Sequence, residues 1–281
     1  MPEHTGRMVF RWFGLIAHAV LPGVRATVAA NQAQVLGRPP DDPLVRASTR
    51  EAFIGYSRYW YDSFHARELT DRDLALRYRS EGKEHFDKAL EAGRGLIVAL
   101  PHFGNWDVAA RWLQTQDLRL TVVVERLKPE RLFRLFRENR EALGMDVISL
   151  DPGGSVGRRL SEALAKNSMV ALVADRDLTG KGVPVEMFGR MRKLPTGPAL
   201  LSITSGAPVV IVGIFDEGDG WHQVIGPTLV AEPTGDRRAD VTALTLRIAA
   251  EFERLISAAP ANWHLFQPGW PEAGQGPAEQ R

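Results

Sequence analysis

Apolar positions along this chain follow two rhythms. Up to about residue 66 they recur at helical spacing, and beyond it they gather into short runs. In the first part, Met8-Val9-Phe10 precedes Trp12-Phe13-Gly14-Leu15-Ile16-Ala17, which predicts an amphipathic helix. Phe53, Tyr56, Tyr59, Trp60 and Phe64 then sit near helical spacing and predict a second helix over residues 43–66, its aromatic stripe turned to a core. In the second part, residues 95–100, 120–124, 146–150 and 169–174 are short stretches rich in Val, Ile and Leu. Helix-like segments at 105–116, 129–142 and 155–166 separate them. Buried strands alternating with helices predict a parallel sheet closed by right-handed crossovers. Residues 183–188 suit another short strand and 196–205 a helix. A strand pair at 208–215 and 222–230 surrounds the turn-rich 216–220, and a helix covers 238–258. The expected fold is therefore α/β: one domain with a mixed, largely parallel central sheet, preceded by N-terminal membrane-associating helices. The expected boundaries are a helical segment over 1–66, the α/β domain over 67–271 and a disordered tail over 272–281.

Charge sharpens the N-terminal reading. From Arg7 to Arg38 there are four arginines, Arg7, Arg11, Arg25 and Arg38, and no acidic residue. Two readings stay open for this helix. It lies in a membrane interface, with Phe10, Trp12 and Phe13 as anchors and the arginines on anionic headgroups, or it docks on the protein's own core. An unbroken run of 20 apolar residues is absent, so no spanning helix is predicted, and no convincing signal-peptide cleavage site follows. The net charge of the 281-residue chain is only +1, which gives no broad field for nucleic acid. There is no cysteine, which excludes disulfides, thiol nucleophiles and thiolate metal sites together. No His/Asp/Glu group has metal-ligand spacing, and no cofactor or metal is expected.

The chemistry concentrates where the strand over 95–100 ends, in Leu100-Pro101-His102-Phe103-Gly104-Asn105-Trp106-Asp107. Ligands of open α/β sheets bind beyond the carboxyl ends of strands, which is where His102 falls. Pro101 stops the strand, Gly104 permits a tight turn, and Asn105 is a good N-cap for the next helix. Asp107 then occupies the first helical turn, where negative charge is favoured. Across a loop-to-helix turn, His102 and Asp107 converge in this reading. Asp107 accepts a hydrogen bond from one ring nitrogen and the other faces substrate as general base.

The stretch 101–107 resembles the His-x-x-x-x-Asp motif of glycerolipid acyltransferases. It more closely resembles the branch containing lipid A acyltransferases and actinobacterial phosphatidylinositol mannoside acyltransferases. Further segments carry the resemblance over roughly residues 8–270. They are Glu125-Arg126-Leu127-Lys128-Pro129, Ala174-Asp175-Arg176-Asp177-Leu178, Phe188-Gly189 with Leu194-Pro195-Thr196-Gly197-Pro198-Ala199, Pro260-Ala261-Asn262-Trp263-His264, and Phe266-Gln267-Pro268. The resemblance implies direct attack of an acceptor hydroxyl on an acyl thioester, acyl-CoA as co-substrate, and no covalent acyl-enzyme. It implies a membrane glycolipid acceptor, favouring phosphatidylinositol mannoside, and a peripheral place on the cytoplasmic face of the plasma membrane. His102 is then the base. Backbone amides starting at Asn105, or an arginine, steady the developing oxyanion. Glu125 and Arg126 are expected beside His102, with Arg126 contacting oxyanion or phosphate. Asp175 belongs to the active site by resemblance, with Arg176 next to it, although some relatives carry Glu where this chain has Asp.

Other readings compete. A lipid A-type late acyltransferase using an acyl carrier protein is the nearest. Gly153-Gly154-Ser155-Val156-Gly157 matches the nucleophile elbow of α/β-hydrolases, with His222 or His264 as later histidines, but Asp151-Pro152 lengthens a turn that must be sharp. Glu125–Arg126 also reads as a surface pair, and Arg137 and Arg140 as part of a solvated helix face between Arg131 and Glu141. His85, His222 and His264 are given no role.

Overall fold

The computed structural model describes residues 3–126, 128–150 and 156–270. The expected tail over 272–281, and Ser155 with the glycines before it, lie outside the described residues. Three helices lead: α1 (Glu3–Val20), α2 (Pro22–Leu36) and α3 (Pro43–His65). Pro22 and Pro43 stand in the first turns of α2 and α3, where a missing amide hydrogen costs nothing, and the Asp42 side chain caps α3. Gly6 and Gly14 let α1 lie close along α3. A β-carbon on Gly14 would meet the Phe53 carbonyl oxygen at 2.7 Å, and one on Gly6 would enter the Tyr61 ring.

The body then runs α4 (Asp71–Arg77), β1 (Tyr78–Glu81), α5 (Lys83–Glu91), β2 (Leu96–Leu100), α6 (Trp106–Thr115), β3 (Leu120–Val124), α7 (Glu130–Ala142), β4 (Met145–Ser149), α8 (Val156–Ala165) and β5 (Met169–Val173). It continues through β6 (Val183–Met187), β7 (Arg190–Leu194), α9 (Gly197–Ser205), β8 (Val209–Glu217), β9 (Gly220–Ile225) and α10 (Arg237–Ala258), and a 3₁₀ turn, Pro260–Asn262, follows. Seven strands form one sheet in the order β1-β9-β8-β2-β5-β3-β4. The five from β8 to β4 are parallel, while β9 turns back against β8 and takes β1 parallel to itself. The sheet is thus mixed and largely parallel, as expected. β6 and β7 form a separate antiparallel hairpin.

Successive side chains of a strand face opposite sides, so β2 feeds both cores. Ile97 and Ala99 join Val170, Val209 and Ile211 against Leu160, Leu164, Leu244, Ile248 and Phe252 of α8 and α10. Leu96, Val98 and Leu100 join Val210 and Val212 against Phe86, Val108, Trp112 and Leu113 of α5 and α6. With both faces covered, β2 is buried at all five residues.

Among the described residues, no single helix is long and apolar enough to cross a membrane, and α1 and α2 meet at a bend of 97°. Of the four N-terminal arginines, three are engaged with the protein. Arg7 pairs with Glu3 and Asp62, Arg25 donates to the carbonyl of His18, and Arg38 pairs with Asp42. Arg11 stays exposed, on a helix whose Met8, Trp12, Phe13, Ile16 and Val20 are also exposed.

Candidate active site

The loop after β2 is built for a sharp exit. Gly104 takes φ +66°, and any β-carbon there would overlap the Ile214 carbonyl oxygen. Asn105 caps α6 as predicted, accepting from the amides of Asp107 and Val108 at 3.1 Å each. Its amide nitrogen donates to the Tyr59 carbonyl oxygen, and the residue is 4% exposed. Both ends of this side chain are spent on the protein, one capping α6 and the other docking α3.

The segment after α10 braces the same loop. The His264 amide donates to the His102 carbonyl at 2.7 Å, and the Gly104 amide donates to that of Asn262 at 3.0 Å. Phe103 and Trp263 form an antiparallel bridge. These bonds give the Pro-Ala-Asn-Trp-His stretch a role that its sequence did not reveal.

The expected hydrogen bond between His102 and Asp107 is not formed. His102 Nδ1 lies 2.5 Å from Asp175 Oδ1, and the His102 amide donates to Asp175 Oδ2 at 3.0 Å. Trp263 Nε1 also donates to Oδ2, at 2.7 Å. The cause is strand order: β5 lies next to β2, so the residue two places beyond its end arrives beside the residue two beyond β2. Burial alone would raise the fully buried Asp175 carboxyl. The charge and hydrogen bond of His102, the Trp263 donor and the Arg192 charge outweigh it and hold Asp175 well below the usual carboxylate range. An ionised Asp175 fixes Nδ1 as the protonated nitrogen of His102. The remaining nitrogen, Nε2, has no hydrogen-bond partner among the described residues, on a side chain 29% exposed and beside the Trp106 ring. No hydroxyl side chain bonds His102 among the described residues, and the pair alone can take a proton from a hydroxyl brought to Nε2.

Asp107 points the other way, toward α3 and α7. Its Oδ1 accepts from Arg140 Nε at 3.0 Å and its Oδ2 from Tyr59 Oη at 3.4 Å. Arg140, placed by sequence on a solvated face, is only 15% exposed, and its last-turn position in α7 carries it under α3. Arg137 does lie outside, paired with Glu141.

Glu125 and Arg126 are not beside His102, because β5 separates β3 from β2. Glu125 pairs across the strand ends with Arg176 at 2.9 Å, and Arg126 with Glu130 at 3.1 Å. These groups form a charged rim one strand beyond the His102–Asp175 pair. A cavity of about 820 Å³ is lined by Arg7, Arg58, Arg77, Asp216, Ala261 and Asn262, and His102 does not line it. Arg58 is matched there by Asp216 at 2.7 Å and Arg77 by Glu3 at 2.6 Å, while Arg11 lines the same cavity at the surface. The cavity is no bare anion site.

Two residues that sequence reasoning left without a role belong here. His264 is buried against the Tyr56 and Tyr59 rings, and burial with the nearby His102 pushes it down to about 3, so it stays neutral. Arg192 on β7 is 5% exposed and donates to the Asp175 carbonyl. A detectable signal existed for Arg192: it holds an inward position in the hairpin alternation, opposite buried Val185, where an apolar residue is the rule.

A mixed, largely parallel α/β sheet thus carries a buried, ionised Asp175 paired with His102 at the carboxyl edge of its central strands. The chain belongs to the bacterial lipid A biosynthesis acyltransferase family, whose sequence profile matches residues 1–272, and it is an acyltransferase. A phosphatidylinositol mannoside acyltransferase of Mycolicibacterium smegmatis is 40% identical over 275 residues, which cover 96% of this chain and 86% of the relative. One of Mycobacterium tuberculosis is 41% identical over 246 residues, 85% of this chain and 75% of the relative.

Proposed function

We propose that this acyltransferase moves a fatty acyl group from acyl-CoA to a hydroxyl of a membrane glycolipid, with phosphatidylinositol mannoside as the acceptor. The observation that carries the chemistry is the His102–Asp175 pair, with Nε2 left open. His102 Nε2 takes the proton as the acceptor oxygen attacks the thioester carbonyl. The tetrahedral intermediate collapses by breaking the carbon–sulfur bond, and the imidazolium returns its proton to the thiolate. Acid–base assistance of this kind contributes about 10²–10⁴-fold. An amide at the start of α6 that the Asn105 cap does not occupy serves the oxyanion, and Arg126 and Arg176 on the rim serve the phosphates of the donor. The acceptor is favoured because mycobacterial relatives at 40% and 41% identity bear that name.

The membrane contact is peripheral, on the cytoplasmic face of the plasma membrane, with Trp12, Phe13 and Ile16 entering the interface beside Arg11. Replacing Trp12 and Phe13 with aspartate is expected to release the protein from anionic vesicles in co-sedimentation. Undiminished binding would remove α1 as the contact.

Labelled palmitoyl-CoA offered with phosphatidylinositol mannoside and a lipid A precursor side by side tests the reaction. Label is expected on the mannoside and is lost in His102→Ala, which keeps its fold. Label on the lipid A precursor alone, or transfer only from palmitoyl-carrier protein, overturns the acceptor or the donor. Free fatty acid that survives in His102→Ala and vanishes in Ser155→Ala means a hydrolase.

A further inference from the structure

Arg192 is placed where a strand should bury an apolar side chain. Its guanidinium lies over the rings of Trp263 and Trp270, with centroids at 5.6 and 5.1 Å, and its Nη2 donates to the main-chain carbonyl of Asp175. Nε and Nη1 are buried without a hydrogen-bond partner among the described residues. Buried donors left unpaired cost stability, and a methionine or leucine would fill the same slot more cheaply. Packing therefore does not account for an arginine here. What it adds is a permanent cation near a fully buried carboxylate that is itself hydrogen-bonded to His102 and Trp263.

We propose that Arg192 is a positioning residue for acyl transfer: from β7 it pins the Asp175 peptide and adds a fixed cation to the His102 and Trp263 contacts that hold the Asp175 carboxylate, and so helps to set the pH range in which the His102–Asp175 pair accepts a proton from the acceptor hydroxyl. This rests on His102 being the base. The charged and titratable groups around the carboxylate are few. His102 reaches it from the end of β2 and Arg192 from β7, while His264 beyond His102 stays neutral. Arg176 and Glu125 pair with each other at the rim, and Asp107 and Arg140 pair on the α3 side. Removing the Arg192 charge leaves the pair with one cation fewer, so it binds a proton more readily, whichever of the two groups holds it.

The test compares Arg192→Met, which keeps the volume, with Arg192→Lys, which keeps the charge. Both are assayed for palmitoyl transfer to phosphatidylinositol mannoside across pH, with His102→Ala alongside. In Arg192→Met, kcat is expected to fall about tenfold or more while KM for palmitoyl-CoA stays within about twofold. The acidic limb of its kcat profile should move up by about one pH unit. Arg192→Lys should keep the limb of the parent enzyme. A limb that does not move in Arg192→Met overturns the proposal, whatever happens to the rate. If Arg192→Met does not fold, adding Asp175→Asn removes the stranded carboxylate and is expected to restore folding; failure to restore it makes Arg192 a packing residue and also overturns the proposal. Activity persisting in His102→Ala sinks the base assignment itself, which the Arg192 variants alone do not address.

Discussion

Asp175 and Asp107 are both buried aspartates, 0% and 1% exposed, and each holds one nitrogen base within hydrogen-bond reach. The partners differ in kind. Asp175 holds an imidazole, a ring that can both donate and accept a proton, on a side chain that reaches solvent. Asp107 holds a guanidinium that never deprotonates, sealed between α3 and α7 and covered by Tyr59. A carboxylate that shares a proton-exchanging partner at a strand end can do chemistry. One locked to a permanent cation in the first turn of a helix can only hold elements together. The motif spacing joins His102 to Asp107, but the fold gives His102 the aspartate of another strand and uses Asp107 to fasten α6 to α7.

That contrast is open to direct attack. Asp175→Asn should cut kcat by about 10²–10⁴-fold per folded molecule, because the histidine loses its tautomer and its stabilised imidazolium. Asp107→Asn, assayed where it remains folded, should cost kcat about tenfold at most. Its main effect should be on stability, a loss of about 3–5 kcal/mol in urea unfolding, because Arg140 is left buried without its countercharge. Asp107→Asn with Arg140→Met should recover much of that loss. If the single variant is fully stable and inactive, the two aspartates have been assigned the wrong way round.

Much of this was legible in the residues, and what was not has physical reasons. Runs such as Leu96–Leu100 and Leu120–Val124 announce buried strands, and Asn105 announces the start of α6. The partner of His102 was hidden because strand order is not sequence order. Only insertion of β5 between β2 and β3 puts Asp175, rather than Glu125, next to the histidine. β7 escaped because three of its five residues, Arg190, Arg192 and Lys193, are basic, and its pairing with β6 outweighs their weak strand preference. Arg140 escaped because a charged helix reads as solvated until the helix that covers one of its turns is known.

pH separates the layers of the site from a second direction. His264 is held down to about 3 in the fold against an ordinary 6.5, so its contribution to stability is complete above pH 6.5 and is lost progressively as pH falls. Asp175 acts lower: with its carboxyl held below 3.8, its contribution is present above that pH and disappears only on further acidification. Between pH 7 and 5 the His264 contribution should therefore fall by about 2 kcal/mol, offset in part by Asp216, whose carboxyl burial pushes up to about 6 so that it takes up a proton in the fold over the same range. His264→Phe keeps the ring against Tyr56 and Tyr59 and should flatten that decline. An equally steep decline in the variant would place the sensitivity elsewhere.

The smallest expected effect concerns the lid over the structural pair. Tyr59 Oη reaches Asp107 Oδ2 at 3.4 Å, a long bond, whereas Arg140 Nε is at 3.0 Å on the other oxygen. The Tyr59 hydroxyl is pushed well above its ordinary range, by burial first and by the Asp107 charge second, so it remains a neutral donor at any working pH. Tyr59→Phe keeps the ring contact with Trp106 and removes only that donor. The expected cost is about 0.5–1.5 kcal/mol in urea unfolding, with kcat and its pH profile unchanged, because nothing on this side of α6 reaches His102 Nε2. A shifted acidic limb in Tyr59→Phe would mean that the Asp107 charge is felt at the base. The separation between the two aspartates would then be one of geometry and not of function.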